Sequence, residues 1–235
     1  MYKTVKYICF LFVLLFANSS LAQDTIPKTE GDSKYREDQF YVGVTYNILR
    51  SMPSNVSPEG LTGGINFGFL RDMPINKNRN IAIAVGAGLS FDRYGQNIFI
   101  DIDSEGNTTY NVLASNVSFD SNNIKTGIVE IPIELRWRSS TPTSYKFWRV
   151  YAGFRFGYAF WNESSFKDSS NSISHKGLED FERIRLAATT SLGFNKFNFF
   201  VYYSLNPFFN EDAITTTGQE VNFNTIKLGL IFYIL

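Results

Sequence analysis

Hydrophobic and polar residues alternate with a period of two along most of this chain, most clearly over residues 124–161. There Val129, Ile131, Ile133, Leu135 and Trp137 share one face, and Glu130, Pro132, Glu134, Arg136 and Arg138 share the other. After a turn-rich gap the alternation resumes. Trp148, Val150, Ala152, Phe154, Phe156, Tyr158 and Phe160 now oppose Arg149, Tyr151, Gly153, Arg155, Gly157 and Ala159. Successive side chains leave a strand on opposite sides, so this period predicts two long strands. At about 3.3 Å per residue, each run can cross a bilayer when tilted.

The class follows from what each face can touch. A soluble sheet turns its apolar face to a core and its charges to water. Here the apolar face is a broad aromatic band, while the other mixes Arg, Glu, Gly and Tyr. A transmembrane barrel needs this combination: an apolar outside against lipid and a small, polar, filled inside. A soluble sandwich hairpin would also fit this segment alone; the other segments favour the barrel.

Residues 39–49 place Phe40, Val42, Val44, Tyr46 and Ile48 outward against Tyr41, Gly43, Thr45 and Asn47. Residues 60–70 place Leu61, Gly63, Ile65, Phe67 and Phe69 outward. Residues 81–91 have Ala82, Ala84, Gly86, Gly88 and Ser90 on the inner side, a small-residue wall that leaves room for the long charged side chains of the strand expected beside it. Residues 181–194 turn Arg183, Arg185, Ala187, Thr189 and Ser191 inward, residues 197–205 form a shorter run, and residues 221–235 point Ile226, Leu228, Leu230, Phe232 and Ile234 outward. With the central pair this predicts an eight-stranded antiparallel transmembrane β-barrel, an up-and-down meander over residues 39–235. Connections alternate between long and short, as extracellular loops and periplasmic turns do. An even strand number returns the C-terminus to the periplasm, and the last strand closes on the first, leaving no edge. The longest connection, residues 92–123, contains two short alternating runs (97–102 and 108–113) and predicts a hairpin beyond the membrane. Residues 162–180 read as a second polar loop.

The N-terminus supplies an address. Lys3 and Lys6 precede a short apolar run over residues 7–17, and Ser20-Leu21-Ala22 gives a small-x-small cleavage pattern. Residues 1–22 are therefore expected to be a cleaved signal peptide, and residues 23–38 a flexible periplasmic lead-in. Cys9 lies within the apolar run, away from the cleavage site, which argues against a lipid anchor. The expected location is the outer membrane of a Gram-negative cell.

The whole chain has 235 residues, suited to one domain, with 22 basic and 22 acidic side chains, 17% aromatic content and 17 glycines. Cleavage removes two lysines and no acid, leaving 20 basic against 22 acidic residues, net −2, and no cysteine. No basic excess exists to neutralise phosphates, which argues against a nucleic-acid binder. Mean hydropathy is only −0.12 because alternation averages it away.

The run Ile131-Pro132-Ile133-Glu134-Leu135-Arg136-Trp137, preceded by Val129-Glu130 and accompanied by Gly-rich paired strands and a terminal aromatic strand, resembles the PorT family of outer-membrane β-barrels of Bacteroidetes. The resemblance spans roughly residues 39–235. It implies either a porin-like barrel or an accessory part in type IX secretion or gliding, with membrane lipid and periplasmic or membrane secretion proteins as partners. It carries no catalytic motif, cofactor or small-molecule substrate.

The candidate functional residues are the inward charges Glu130, Glu134, Arg136, Arg138, Arg149, Arg155, Arg183, Arg185 and Lys227. Pairing of the two central strands would bring Glu130 or Glu134 close to Arg149 or Arg155. An unpaired charge in a narrow lumen would cost several kcal/mol, so a salt-bridged plug is expected; the basic excess leaves an anion path as the alternative. His175, with Ser172, Ser174 and Asp168 nearby, could suggest rim chemistry on lipid, yet all four share one polar loop and nothing fixes a Ser–His pair. Asn107-Thr108-Thr109 and Asn116-Val117-Ser118 read as polar loops. Two periplasmic turns, residues 71–80 and 139–146, are long for such barrels and could dock a partner through Arg71, Asp72, Lys77, Arg79, Tyr145 and Lys146.

Overall fold

The computed structural model describes residues 38–139, 147–195 and 197–234. The expected signal peptide, all of the lead-in but Asp38, and the turn residues Tyr145 and Lys146 lie outside the described residues. The alternating runs form β1 (Gln39–Arg50), β2 (Gly63–Pro74), β3 (Ile81–Gly95), β6 (Ser121–Arg138), β7 (Trp148–Lys167), β9 (Ile184–Phe194), β10 (Phe197–Ser204) and β11 (Asn224–Ile234). Outside the membrane lie β4 (Ile98–Ile102), β5 (Thr108–Val112) and β8 (Ser172–Lys176). Each of the eight long strands pairs antiparallel with both neighbours, and β1 closes against β11, so the sheet is a closed eight-stranded antiparallel barrel.

Closure is extensive. Pairing of β1 with β11 runs from Phe40↔Ile234 to Arg50↔Asn224, so neither terminal strand leaves its amides open to lipid. Burial in β1 alternates without a break, Tyr41, Thr45 and Asn47 inside and Phe40, Val44 and Tyr46 outside. The small wall of β3 faces the charges of β6 as its residues required, with Ala82 opposite Arg136, Ala84 opposite Glu134 and Gly88 opposite Glu130.

The strands are longer than their apolar runs. β2 continues through Arg71, Asp72 and Met73 to Pro74, so the turn is residues 75–80 and Asp72 is not in it. Its geometry comes from Asn76, whose Oδ1 accepts from the Ile81 N–H at 3.1 Å, and from the Ile75 N–H donating to the Ile81 carbonyl at 2.9 Å. β3 reaches Gly95 and includes Asp92, which was expected in the outer loop. β7 continues through residues 162–167, expected as loop, and pairs there with β8. Polar side chains suit these extensions because the outer face has left the hydrocarbon. A bulge at Phe160 shifts the β6–β7 register between Gly127 and Ile128. The predicted outer hairpin is β4–β5, with Ile98 opposite Val112.

β9 begins at Ile184, one residue later than the inward reading of Arg183 requires. Arg183 is exposed, outside the barrel strand, and contributes its backbone carbonyl to the Ala159 N–H at 2.8 Å. It is not a lumen residue.

Removing residues 231–235 would delete the partners of Phe40, Tyr41, Val42 and Gly43 and open two edges in lipid, where each unsatisfied amide costs several kcal/mol. The truncated chain should lose heat-modifiable gel mobility in detergent and fail to accumulate in the outer membrane; wild-type levels would contradict this closure.

Candidate functional site: a charged lumen beneath an apolar cap

Inside the membrane span the lumen is filled by ion pairs in three tiers. Nearest the short turns, Asp72 lies between two arginines. Its Oδ2 accepts from Arg138 Nη1 at 2.9 Å and its Oδ1 from Arg136 Nη1 at 3.4 Å, all three side chains being fully buried. Arg136 Nε also donates to Glu134 Oε2 at 3.1 Å. Its guanidinium sits 4.6 Å from the centroid of the Tyr151 ring and 5.7 Å from that of Tyr233, so ring faces supply part of what water would.

In the middle tier Arg155 Nη1 donates to Glu130 Oε2 at 2.8 Å, between the rings of Phe200 and Tyr41. In the third tier Lys227 Nζ meets Asp92 Oδ2 at 2.5 Å and Ser90 Oγ at 3.3 Å, above the Tyr202 ring. Asp92 also accepts from Asn47 Nδ2 at 3.0 Å and from Ser90 Oγ at 2.8 Å. Glycine makes both of these tiers fit: a Cβ on Gly64 would overlap the Asp92 carboxylate of the third, and one on Gly88 the Tyr41 hydroxyl of the middle one.

The remaining inward arginines bind carbonyls. Arg149 donates to the Asn195 carbonyl and stacks 4.2 Å from the Phe147 ring centroid. Arg185 donates to the Pro207 carbonyl, to Ser204 Oγ at 3.0 Å and to the Asn206 carbonyl at 3.3 Å. Of the expected inward charges, Glu130, Glu134, Arg136, Arg138, Arg149, Arg155, Arg185 and Lys227 are thus buried, and Arg183 is not. Asp72 and Asp92 were missed. With them, the described residues hold four buried acids against six buried bases, which removes most of the basic excess behind the anion-path alternative.

Above the third tier the chemistry inverts. All four outer connections send apolar side chains inward: Val56 from the first, Ile98, Ile100 and Tyr110 from the β4–β5 hairpin, Leu178 and Phe181 from the third, and Phe208, Phe209, Ala213, Val221 and Phe223 from the last. Rings pack edge to face, with Tyr94–Phe208 at 4.7 Å, Tyr110–Phe209 at 5.4 Å and Phe181–Phe209 at 5.7 Å between centroids. The Tyr110 hydroxyl donates to Asp180 Oδ2 at 3.0 Å; burial, with the facing carboxylate, pushes this phenol up, so it remains a donor through neutral pH. The cap closes the outer mouth with a hydrophobic core.

His175 lies on β8 with Nε2 2.8 Å from Asp101 Oδ1 on β4, tying two outer hairpins together. Asp168 is a turn anchor: its Oδ1 accepts from the Ser170 N–H at 2.7 Å and the Asn171 N–H at 2.6 Å, which hold its carboxyl below the usual carboxylate range. Ser172 and Ser174 share β8 with His175 and neither is its partner. Among the docking candidates Arg71 is an exposed strand residue 3.5 Å from Asp38, Lys77 is exposed in the turn, and Arg79 takes a positive φ of 53° there. Asp72 is inside.

The model of the Outer membrane protein beta-barrel domain matches residues 17–210. The chain belongs to that family. Its site is therefore the outer membrane, with strands crossing the bilayer and the long connections outside. Two solved structures of Ail, the attachment invasion locus protein of Yersinia pestis, are similar at 15% identity. One is covered completely, over 88% of this chain, with a TM-score of 0.34. The other, in complex with the heparin analogue sucrose octasulfate, is covered to 99%, over 84% of this chain, with a TM-score of 0.32. No curated protein matches the sequence.

In this outer-membrane barrel Asp72 holds two guanidinium groups at once, so Asp72→Ala should destabilise the folded state by about 3–5 kcal/mol. Arg71→Ala, which breaks a pair left half exposed, should cost no more than about 1 kcal/mol. Urea unfolding in detergent, followed by tyrosine and tryptophan fluorescence, compares the two. Equal midpoint shifts would contradict the buried assignment.

Proposed function

We propose that this barrel is a sealed structural element of the outer membrane that presents its folded outer cap for adhesion and performs no catalysis. What supports the reading is the construction of the outer connections. They are joined across one apolar core rather than left as slack loops, with Tyr110 bridging β5 to Thr215 and Phe181 bridging to Phe209. A rigid platform keeps a contact surface in place at little entropic cost on binding. The exposed tips carry apolar side chains, Ile102, Val117 and Ile214, each more than 40% accessible, a composition that suits contact with another surface. A rim enzyme would need His175 beside a serine hydroxyl, and that ring is committed to Asp101.

A second reading, an accessory part of type IX-like secretion or gliding, rests on the resemblance of residues 129–137 to the PorT family and on the exposed Lys77 in the turn of residues 75–80. It is weakened by two of its expected docking residues, since Asp72 serves the lumen and Arg71 reaches Asp38.

Two replacements separate the readings in cells. Exchanging the tip residues Ile102, Val117 and Ile214 for serine should reduce surface attachment several-fold with secretion unchanged. Exchanging residues 75–80 for a short Asn-Gly turn should alter neither. Loss of secreted protein or of spreading in the turn variant, at normal barrel levels, would overturn the adhesive reading in favour of the secretion partner.

A further inference from the structure

The outer wall of the barrel carries one row of side chains that neither the lumen nor the cap explains. Register across four neighbouring strands aligns Gly63 of β2, Arg93 of β3, Lys125 of β6 and Glu163 of β7, and β8 adds Lys176. The row below is Ile65, Phe91, Gly127 and Trp161. Apolar and aromatic side chains thus give way to charge within one step along the strands, at the end bearing the long connections. That step marks the interface with the outer leaflet.

The charges are not balanced. Lys125 Nζ lies 3.1 Å from Glu163 Oε1. Arg93 stands beside Lys125, and among the described residues no carboxylate lies within ion-pair distance of it; its Nε is buried with no hydrogen-bond partner. Glu163 thus serves Lys125 alone, and the guanidinium of Arg93 beside it leaves a cationic place on the wall that suits a diffuse anion from outside the chain. Arg93 and Lys125 themselves line a groove of about 570 Å³ that extends from their row toward the apolar row below, floored by Gly63 and Gly64 and walled by Val44, Tyr46, Phe91 and Trp161. The missing side chain at Gly63 opens this groove between Tyr46 and Arg93.

We propose that Arg93 and Lys125 bind the phosphate of a phosphorylated glycolipid of the outer leaflet, with one of its acyl chains lying in the groove beneath. The two features support each other: a lone basic pair would attract any anion, while a groove on the hydrocarbon side of it selects one that carries a chain. A guanidinium offers a fork for phosphate oxygens, and the ammonium adds a point charge. Glu163 holds Lys125 in the row and keeps the site from being a general cationic patch.

The test uses the full-length mature protein in detergent, examined by native mass spectrometry with bisphosphorylated lipid A, dephosphorylated lipid A, phosphatidylethanolamine and inorganic phosphate as probes. The wild-type protein should retain bisphosphorylated lipid A in preference to the other three. Arg93→Gln/Lys125→Gln should weaken that retention about tenfold or more, as expected for two cations near a phosphate. Arg50→Gln, which removes an outward cation lying near Tyr203 instead, should leave it unchanged. Heat-modifiable mobility verifies folding of each variant. Equal retention of phosphorylated and dephosphorylated lipid, equal loss in Arg50→Gln, or full occupancy by inorganic phosphate without lipid would each overturn the proposal.

Discussion

The structure depends on the requirement that no charge stand alone inside a narrow barrel. Eight strands leave an interior that side chains fill, and the described lumen contains ten buried ionisable acids and bases. Each acid is therefore set against a base from another strand, or from two residues away on the same one. Asp72 of β2 gathers Arg136 and Arg138 of β6, Asp92 of β3 meets Lys227 of β11, and Glu130 of β6 meets Arg155 of β7. Because these pairs cross strand boundaries, they also fix the register. A one-residue slip of any one of these strands would turn that strand's charges out of the lumen and leave their partners unpaired.

The second organising feature is an inversion of the hydrophobic pattern along the barrel axis. Within the bilayer the outside is hydrocarbon, so the inside must take the polar groups. Beyond it the outside is water, and the inside becomes an ordinary hydrophobic core. β3 shows the change in four residues: Phe91 points out to lipid while Asp92 points in to Lys227, then Arg93 points out and Tyr94 points in against Phe208. The row of Arg93 and Lys125 stands at this crossover, where the outer wall meets headgroups rather than acyl chains or bulk water.

The barrel was legible in the sequence because a period of two survives without help from tertiary structure. The inward placement of Glu130, Glu134 and Arg155 came from the same count. Asp72 and Asp92 were not legible for a local reason. Arg71-Asp72-Met73-Pro74 looks like turn chemistry, and Asp92 follows the last aromatic of its run. Yet each strand outlasts its apolar stretch, since its ends lie at headgroup depth where polar side chains are at home. Arg183 failed in the opposite sense, as the strand starts after it. The cap was hidden because its members, from Val56 to Phe223, are scattered over four connections and meet only through the closed sheet. Its signal was present in the aromatic pair Phe208-Phe209 within an otherwise polar segment.

The central claim is that the lumen is closed to ion flow, by ion pairs along the membrane span and by an apolar cap above. Planar-bilayer recording of the refolded mature protein tests it most directly. The account predicts no steady conductance above the bare-membrane level at moderate voltage and salt. A stable, long-lived open channel in the wild-type protein would contradict it.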